Sequence, residues 1–322
     1  MVLRRALTVL TSTLAALVVL EAGLRLFPPP LRPVPGYSWM RYDPVYGTVN
    51  APGRYVDPSL GHARVAGTIT ITRDGLRGDE PTGAPRRILC LGDSSTFGIR
   101  LEHGRNIDPD AVFRADNAWP AFLADELRAR GVAADVLNAG VIGDNSAHGL
   151  RRITGRLRRL FPTTVIVRFG FNDHVFFDAE TMVEDTRVLP FVIDLALARP
   201  VLALVHHHPR RPAVSVERFV ANLEAIAERV REAGGTVLAL DYPLRPLAPG
   251  ETEDTSFVFM GLPPLAALYA EHARYMAALD GLANITVVRT ADVVSFGPAD
   301  RVHPDADGAR AIAHRLAAVP ME

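Results

Sequence analysis

From residue 86 onward, short apolar runs alternate with longer stretches whose apolar residues recur at helical spacing. Ile88–Leu91, Ala134–Leu137, Thr164–Phe169, Thr236–Leu240 and Ile285–Val288 are brief and apolar, and they read as buried strands. Between them, Ala118–Arg130 places Trp119, Phe122, Leu123 and Leu127 on one side of a helix. Ser146–Leu160, Val216–Ala233, Leu265–Leu279 and Asp305–Ala317 also read as helices, the second of these stopping at Gly234-Gly235. Five strands with intervening helices predict an α/β fold: a parallel sheet covered on both faces, in three layers. Sites in such folds form at the carboxyl ends of the strands.

The start of the chain is patterned differently. Met1–Arg5 carries two arginines, Ala6–Leu20 has no charge, and apolar character continues past Glu21 and Arg25 to Phe27. A run ending at Leu20 is shorter than the roughly 20 residues that span a bilayer, but Ala6–Phe27 is long enough. Glu21 and Arg25 stand at i,i+4, where they can pair near one interface. Residues 1–27 therefore predict an N-terminal membrane helix, single-pass, with the remainder extracytoplasmic. A cleaved signal peptide followed by secretion fits the same pattern, although no small-x-small site follows Leu20; a soluble core helix is the third alternative. Arginines at the start favour a cytoplasmic N-terminus, and Arg25 and Arg32 at the other end weaken that bias.

Residues 28–84 read as a proline-rich linker and a small β-containing stem. Pro28-Pro29-Pro30, Pro33 and Pro35 make a stiff spacer, and the alternation Thr68-Ile69-Thr70-Ile71-Thr72 reads as an edge strand or hairpin. The main domain is expected over 85–322. Within it Leu101–Asn117 reads as a long polar loop, and 174–212 interrupts the alternation. Pro190, Asp194, Arg199 and Pro200 break the apolar stretch Val188–Val205, so a lid insertion is expected there rather than a second span.

Composition narrows the chemistry. The chain has 322 residues, 48% hydrophobic and 22% charged, with net charge −1. That suits one larger globular domain with appendages and gives no electrostatic case for nucleic acid. Every basic residue is arginine, which excludes a Walker-type phosphate loop, a Schiff-base enzyme and a Ser-Lys dyad. Cys90, the single cysteine, allows no intramolecular disulfide and reads as a small hydrophobe. His206-His207-His208 is not read as a metal site, because consecutive side chains diverge and no neighbouring carboxylate or cysteine completes a set; no cofactor or metal is expected. The arginines at 151, 152, 156, 158 and 159 are not confined to one helical face. They read as a solvated surface, with contact to anionic lipid or polysaccharide as the alternative.

The candidate chemistry sits at element ends. Arg87–Gly98 begins as a buried strand and ends in a polar turn holding Ser94 and Ser95. Alone, this turn fits a helix cap as well as a nucleophile. Three further blocks follow: Asn138-Ala139-Gly140-Val141-Ile142-Gly143-Asp144-Asn145-Ser146, Gly170-Phe171-Asn172-Asp173 and Asp300-Arg301-Val302-His303-Pro304. Serine, glycine, asparagine and histidine appear in that order. A serine hydroxyl needs a base within reach, and the base needs an orienting partner. Ser94, His303 and Asp300 are the candidates for these roles, Asp300 lying close enough in sequence to reach Nδ1 across a local turn.

This ordered set resembles the SGNH (GDSL) hydrolase family over Arg86–Ala318, and the lead-in Arg73–Gly78 resembles that of its membrane-anchored bacterial members. The resemblance implies the SGNH fold with a flavodoxin-like sheet. It also implies an oxyanion hole made by the backbone N–H of Ser94, the backbone N–H of Gly143 and the side chain of Asn172. Gly140 is the rival for the glycine role, and Asp93 is expected to hold the turn. The turn is not the Gly-x-Ser-x-Gly elbow of α/β-hydrolases, because Thr96 takes the place of the second glycine. The activity implied is that of a serine esterase on a small-molecule or glycan ester, O-acetyl groups of an envelope or extracellular glycan being one such target. O-acyl transfer to a polysaccharide is the alternative enzyme reading, and a non-catalytic glycan- or envelope-binding module is the alternative of a different class.

Overall fold

A computed structural model of the chain describes residues 2–26, 31–34, 36–43, 46–61, 63–104, 110–160, 162–174, 212–248, 251 and 264–320. Apart from its two end residues, the insertion expected over 174–212 lies outside these residues, as does the His206-His207-His208 triplet.

Helix α1 (Val2–Leu26) is followed by short strands: β1 (Arg32–Pro33), β2 (Met40–Asp43), β3 (Gly47–Asn50), β4 (Gly53–Val56), β5 (Ser59–Leu60), β6 (Ala63–Ala66) and β7 (Thr68–Ile71). The larger unit begins with β8 (Arg86–Gly92), α2 (Ser94–Phe97), β9 (Arg100–His103), β10 (Val112–Arg114), α3 (Trp119–Ala129), β11 (Ala134–Asn138) and α4 (Ser146–Thr154). It continues through β12 (Thr164–Arg168), α5 (Phe171–His174), α6 (Val216–Glu232), β13 (Thr236–Leu240), α7 (Leu265–Ala278), β14 (Thr286–Val288) and α8 (Ala306–Ala317).

Strands β11, β8, β12, β13 and β14 form a five-stranded sheet in that order, every pair parallel. The first strand of this sheet in chain order thus lies between its second and its third, the flavodoxin-like order, whose crevice opens between β8 and β12. Alternation along each strand divides one apolar run between two cores. Ile88, Cys90, Ile166, Leu238 and Leu240 pack against Trp119 and Leu123 of α3 and Ile312 and Leu316 of α8. Leu89, Leu91, Val165, Val167 and Val237 pack against Ile153 of α4, Phe219 and Ile226 of α6 and Tyr275 of α7.

Three expectations are corrected. First, Leu101–Asn117 is not simply a polar loop. Strand β10 from this stretch pairs in parallel with β6 of the stem and antiparallel with β9, giving the order β5-β6-β10-β9. The apolar residues Leu101 and Phe113 drive this, because they join Trp39, Val65, Ile69, Ile71 and Phe97 in a third core. Trp39 stacks on Phe97 with ring centroids 5.6 Å apart, so the stem braces α2 directly. Second, the helix expected over Ser146–Leu160 ends at Thr154 and resumes as a 3-10 turn, Arg156–Leu160. Gly155 at the break lets Tyr46 approach, since a Cβ there would lie 2.4 Å from the Tyr46 hydroxyl. Arg152 of this helix is buried and paired with Asp144 instead of solvated.

Third, among the described residues no helix is long and apolar enough to cross a membrane. Although α1 is helical throughout Val2–Leu26, Thr8, Thr11, Ser12 and Thr13 dilute its apolar run. The hydroxyls of Thr11 and Ser12 turn back onto the Thr8 carbonyl at 3.0 and 2.7 Å. Val9, Leu10 and Leu14 on the same helix are exposed.

Asp135 of β11 ties the lead-in to the edge of the sheet. Its carboxylate accepts from the Thr82 N–H and hydroxyl at 2.9 and 2.8 Å, and from the Gly83 and Ala84 N–H groups at 2.9 and 3.0 Å. Burial alone would raise its pKa, but these donors outweigh burial and hold it below the ordinary value of 3.8. Asp135→Asn is expected to cost about 1–3 kcal/mol near neutral pH. A carboxyl with a depressed folded-state pKa stabilises above its unfolded pKa and loses that contribution as pH falls through the folded value. The gap between the two proteins should therefore close in acid, as measured by denaturant unfolding at neutral pH and below the carboxylate range.

Candidate active site

The site is built where β8 ends at the sheet's crevice. A Cβ at Gly92 would lie 2.2 Å from Thr96 Oγ1 and 2.7 Å from the Arg168 carbonyl, so only glycine lets the chain turn this tightly against β12. Asp93 then caps α2, its Oδ1 accepting the Ser95 N–H at 2.9 Å. Ser94 is the first residue of that helix, 9% exposed.

The Ser94 hydroxyl lies 2.8 Å from His303 Nε2, and His303 Nδ1 lies 2.9 Å from Asp300 Oδ2. Asp300 Oδ1 accepts the N–H groups of Val302 and His303 at 2.9 Å each, which fixes the local turn. Its Oδ2 also accepts the Leu101 N–H at 2.7 Å. With the carboxylate taking Nδ1–H, the lone pair of a neutral imidazole is left on Nε2, facing Ser94. Burial would raise the pKa of Asp300, but the facing imidazole and the N–H donors bring it below the ordinary value. Burial would lower that of His303, but the Asp300 charge and hydrogen bond carry it above 6.5.

Two loops flank the serine. After β11, Gly140 packs on α2 so closely that a Cβ would lie 2.2 Å from the Phe97 nitrogen. Gly143 differs: it takes a left-handed φ of 83° in the turn closed by Asp144 N–H to the Val141 carbonyl at 3.2 Å, and open space surrounds the place of its Cβ. After β12, Asn172 Nδ2 donates to the Asp144 carbonyl at 2.9 Å and to Asp93 Oδ2 at 3.2 Å. Asn172 thus bridges the Gly143–Asp144 loop and the Ser94 turn.

Behind these residues is a buried polar layer that the sequence patterns do not single out. Arg168, at the end of β12, donates from Nε to the Asp241 carbonyl at 3.2 Å and from Nη1 to the Ser95 hydroxyl. Its guanidinium lies 4.5 Å from the centroid of the Tyr242 ring, and the Tyr242 hydroxyl donates to Asp93 Oδ1 at 3.3 Å. Burial pushes Asp93 up to about 6, against the Ser95 N–H, His303 and Arg168. Burial likewise pushes Asp173 to about 7, although it accepts the Ser146 and Gly170 N–H groups at 3.0 Å each. His174 and His272, 2.9 Å apart, are driven down to about 3 and about 4 by burial and form a neutral pair. The available signals were an arginine inside an otherwise apolar strand and a tyrosine just past the end of β13.

Residues 90–311 match the GDSL-like Lipase/Acylhydrolase family. The chain belongs to this family. Among curated relatives, the thioesterase 1/protease 1/lysophospholipase L1 of Escherichia coli is 29% identical over 160 residues, 49% of this chain. The chain spans only 65% of that protein's length. Esterase TesA of Pseudomonas aeruginosa is 30% identical over 90 residues, 28% of this chain and 39% of its own length. Among solved structures, a carbohydrate acetylesterase family member from Sinorhizobium meliloti is 19% identical, with a TM-score of 0.46 over 72% of this chain and 95% of its own.

The geometry of this GDSL site predicts how His303 titrates. Its imidazole should lose its proton above pH 6.5 in the free protein, because Asp300 favours the charged form. Asp300→Asn removes that charge and leaves burial, the largest influence, opposed by Asp93 and aided by Arg168, so the midpoint should fall. NMR titration of the His303 ring in both proteins is the measurement.

Proposed function

We propose that this GDSL family member is a serine esterase that hydrolyses carboxylic esters through an acyl-enzyme. The observation that carries the reading is the unbroken hydrogen-bond chain from Ser94 to His303 to Asp300, 2.8 and 2.9 Å long. In this scheme Ser94 Oγ attacks the ester carbonyl while His303 Nε2 takes its proton. Asp300 holds the ring and stabilises the imidazolium. The negative oxygen of the tetrahedral intermediate receives the Ser94 and Gly143 N–H groups and an Asn172 Nδ2–H. Collapse expels the alcohol, which takes the proton from His303. Water, activated by the same imidazole, then releases the acid and restores Ser94.

The open left-handed turn at Gly143 favours this residue over Gly140, whose Cα is packed against α2. The acyl group assigned is short, such as the O-acetyl of a glycan or of a small alcohol. The family carries the ester chemistry and leaves the acceptor open. An extracytoplasmic location belongs to the same proposal, supported by the charged start and uncharged Ala6–Leu20 of the sequence; fractionation and N-terminal sequencing of the mature protein test it.

Ser94→Ala should lower hydrolysis of p-nitrophenyl acetate by roughly 10³-fold or more with the thermal unfolding transition preserved; a variant that keeps its activity removes Ser94 from the reaction. Asn172→Ala should lower kcat by roughly 10²–10³-fold with a smaller change in KM. Steady-state kinetics separate the two parameters, and an unchanged kcat takes Asn172 out of the oxyanion hole. A series of p-nitrophenyl esters should show kcat/KM falling as the acyl chain lengthens.

A further inference from the structure

Arg168 is fully buried, and a buried charge is retained only at considerable cost unless it is compensated or used. The hydrogen bonds it makes go to neutral groups, the Ser95 hydroxyl and the Asp241 carbonyl. Its Nη2 makes no hydrogen bond among the described residues. The guanidinium lies over the Tyr242 ring, an arrangement that favours the cation without neutralising it. The positive charge therefore acts through space in a weakly screened interior.

Two carboxylates, Asp93 and Asp241, favour the Arg168 charge, and Asp93 is the one that adjoins Ser94. It accepts the Ser95 N–H, the Tyr242 hydroxyl and the Asn172 carboxamide N–H. Those bonds need both oxygens as acceptors, because a protonated carboxyl would turn one acceptor into a donor. The groups facing Asp93 are few. His303 and Arg168 favour its charge, as do the donors Ser95 N–H and the Tyr242 hydroxyl, while burial opposes it. Asp173 is its like-charged neighbour.

The geometry points to Arg168 as a positioning residue of the oxyanion site: its charge keeps Asp93 an all-acceptor carboxylate, its Nη1 holds the Ser95 hydroxyl, and together these fix the Ser94–Ser95 turn and the Asn172 carboxamide. This inference rests on the roles of Ser94 and Asn172 proposed above. Arg168 touches neither substrate nor reacting atoms; it acts through Asp93 and Ser95. Its place follows from the sheet, since Arg168 stands beside Gly92 in the β8–β12 register, one residue before Asp93.

The test uses the full chain with p-nitrophenyl acetate. Arg168→Gln removes the charge and should lower kcat by about tenfold to a hundredfold with little change in KM. The acid limb of kcat/KM should move to higher pH, because Asp93, already at about 6, gains protons more readily without the cation. Loss of the cation would also raise His303, so the limb alone does not separate the two routes. A double-mutant cycle does: in an Asp93→Asn background the further effect of Arg168→Gln on kcat should shrink to the part carried by the Ser95 contact. Arg168→Lys keeps the charge, so its acid limb should stay near that of the unaltered protein even though the Ser95 contact is weakened. A folded Arg168→Gln protein with unchanged kcat, or an equal loss in both backgrounds, overturns the inference. If Arg168→Gln does not fold, Arg168→Lys decides alone, and a limb moved upward despite the retained charge overturns it. An active Ser94→Ala protein would instead overturn the catalytic reading, so the two failures are distinguishable.

Discussion

The close parallel pairing of β8 and β12 is the constraint on which the site depends. At its carboxyl end Gly92 lies against the Arg168 backbone, with no room for a side chain. The chain must leave the sheet there, and Asp93 immediately starts a short helix with Ser94 at its first position. The same pairing brings Asn172, just beyond β12, within hydrogen-bond distance of Asp93. Two loops far apart in sequence are thus held together by a strand register set by buried apolar alternation. His303 arrives separately, on the turn before α8, and that turn is shaped by its own aspartate.

Electrostatically, the site has two tiers. In the front tier the Asp300 carboxylate and the His303 imidazole raise and lower each other's protonation in the directions expected of an ion pair. In the rear tier, burial dominates: Asp93 and Asp173 are pushed upward, and His174 and His272 are kept neutral. Arg168 is the cation of the rear tier, and Tyr242 connects it physically to Asp93. The front tier sets the tautomer of the imidazole, and the rear tier joins Asp93, Ser95 and Asn172 in one hydrogen-bonded network.

Much of this was legible in the sequence. Each of the five sheet strands announced itself as a short apolar run, because a strand covered on both faces needs apolar residues at nearly every position. Asp300 and His303 were legible because their contact is local. The serine, glycine and asparagine blocks were legible because strand ends must carry polar turns. What escaped notice depends on pairing between remote segments. The alternation at Thr68–Ile71 identified a strand, but nothing in it specified that β6 of the stem would take β10 as its partner. Arg168 sits in a strand recognised from its apolar neighbours, and its partners Ser95, Asp241 and Tyr242 come from two other strand ends. The Arg152–Asp144 pair was hidden for the same reason, an arginine among several others turning inward.

The bond from the Leu101 N–H to Asp300 Oδ2 changes what the stem is. Leu101 belongs to β9, whose neighbour β10 is itself paired with β6, so the carboxylate behind His303 is tethered to a sheet that begins before residue 85. The beginning of the family match at residue 90 is consequently a boundary of sequence likeness and not of mechanics. A protein trimmed to that boundary would bare the face of Phe97 that Trp39 covers, and it would strip β6 from β10, among the described residues the only neighbour of the strand carrying Leu101 in that sheet. The stem is a scaffold element of the hydrolase unit, joined through β6, β10 and β9 to the carboxylate that faces His303.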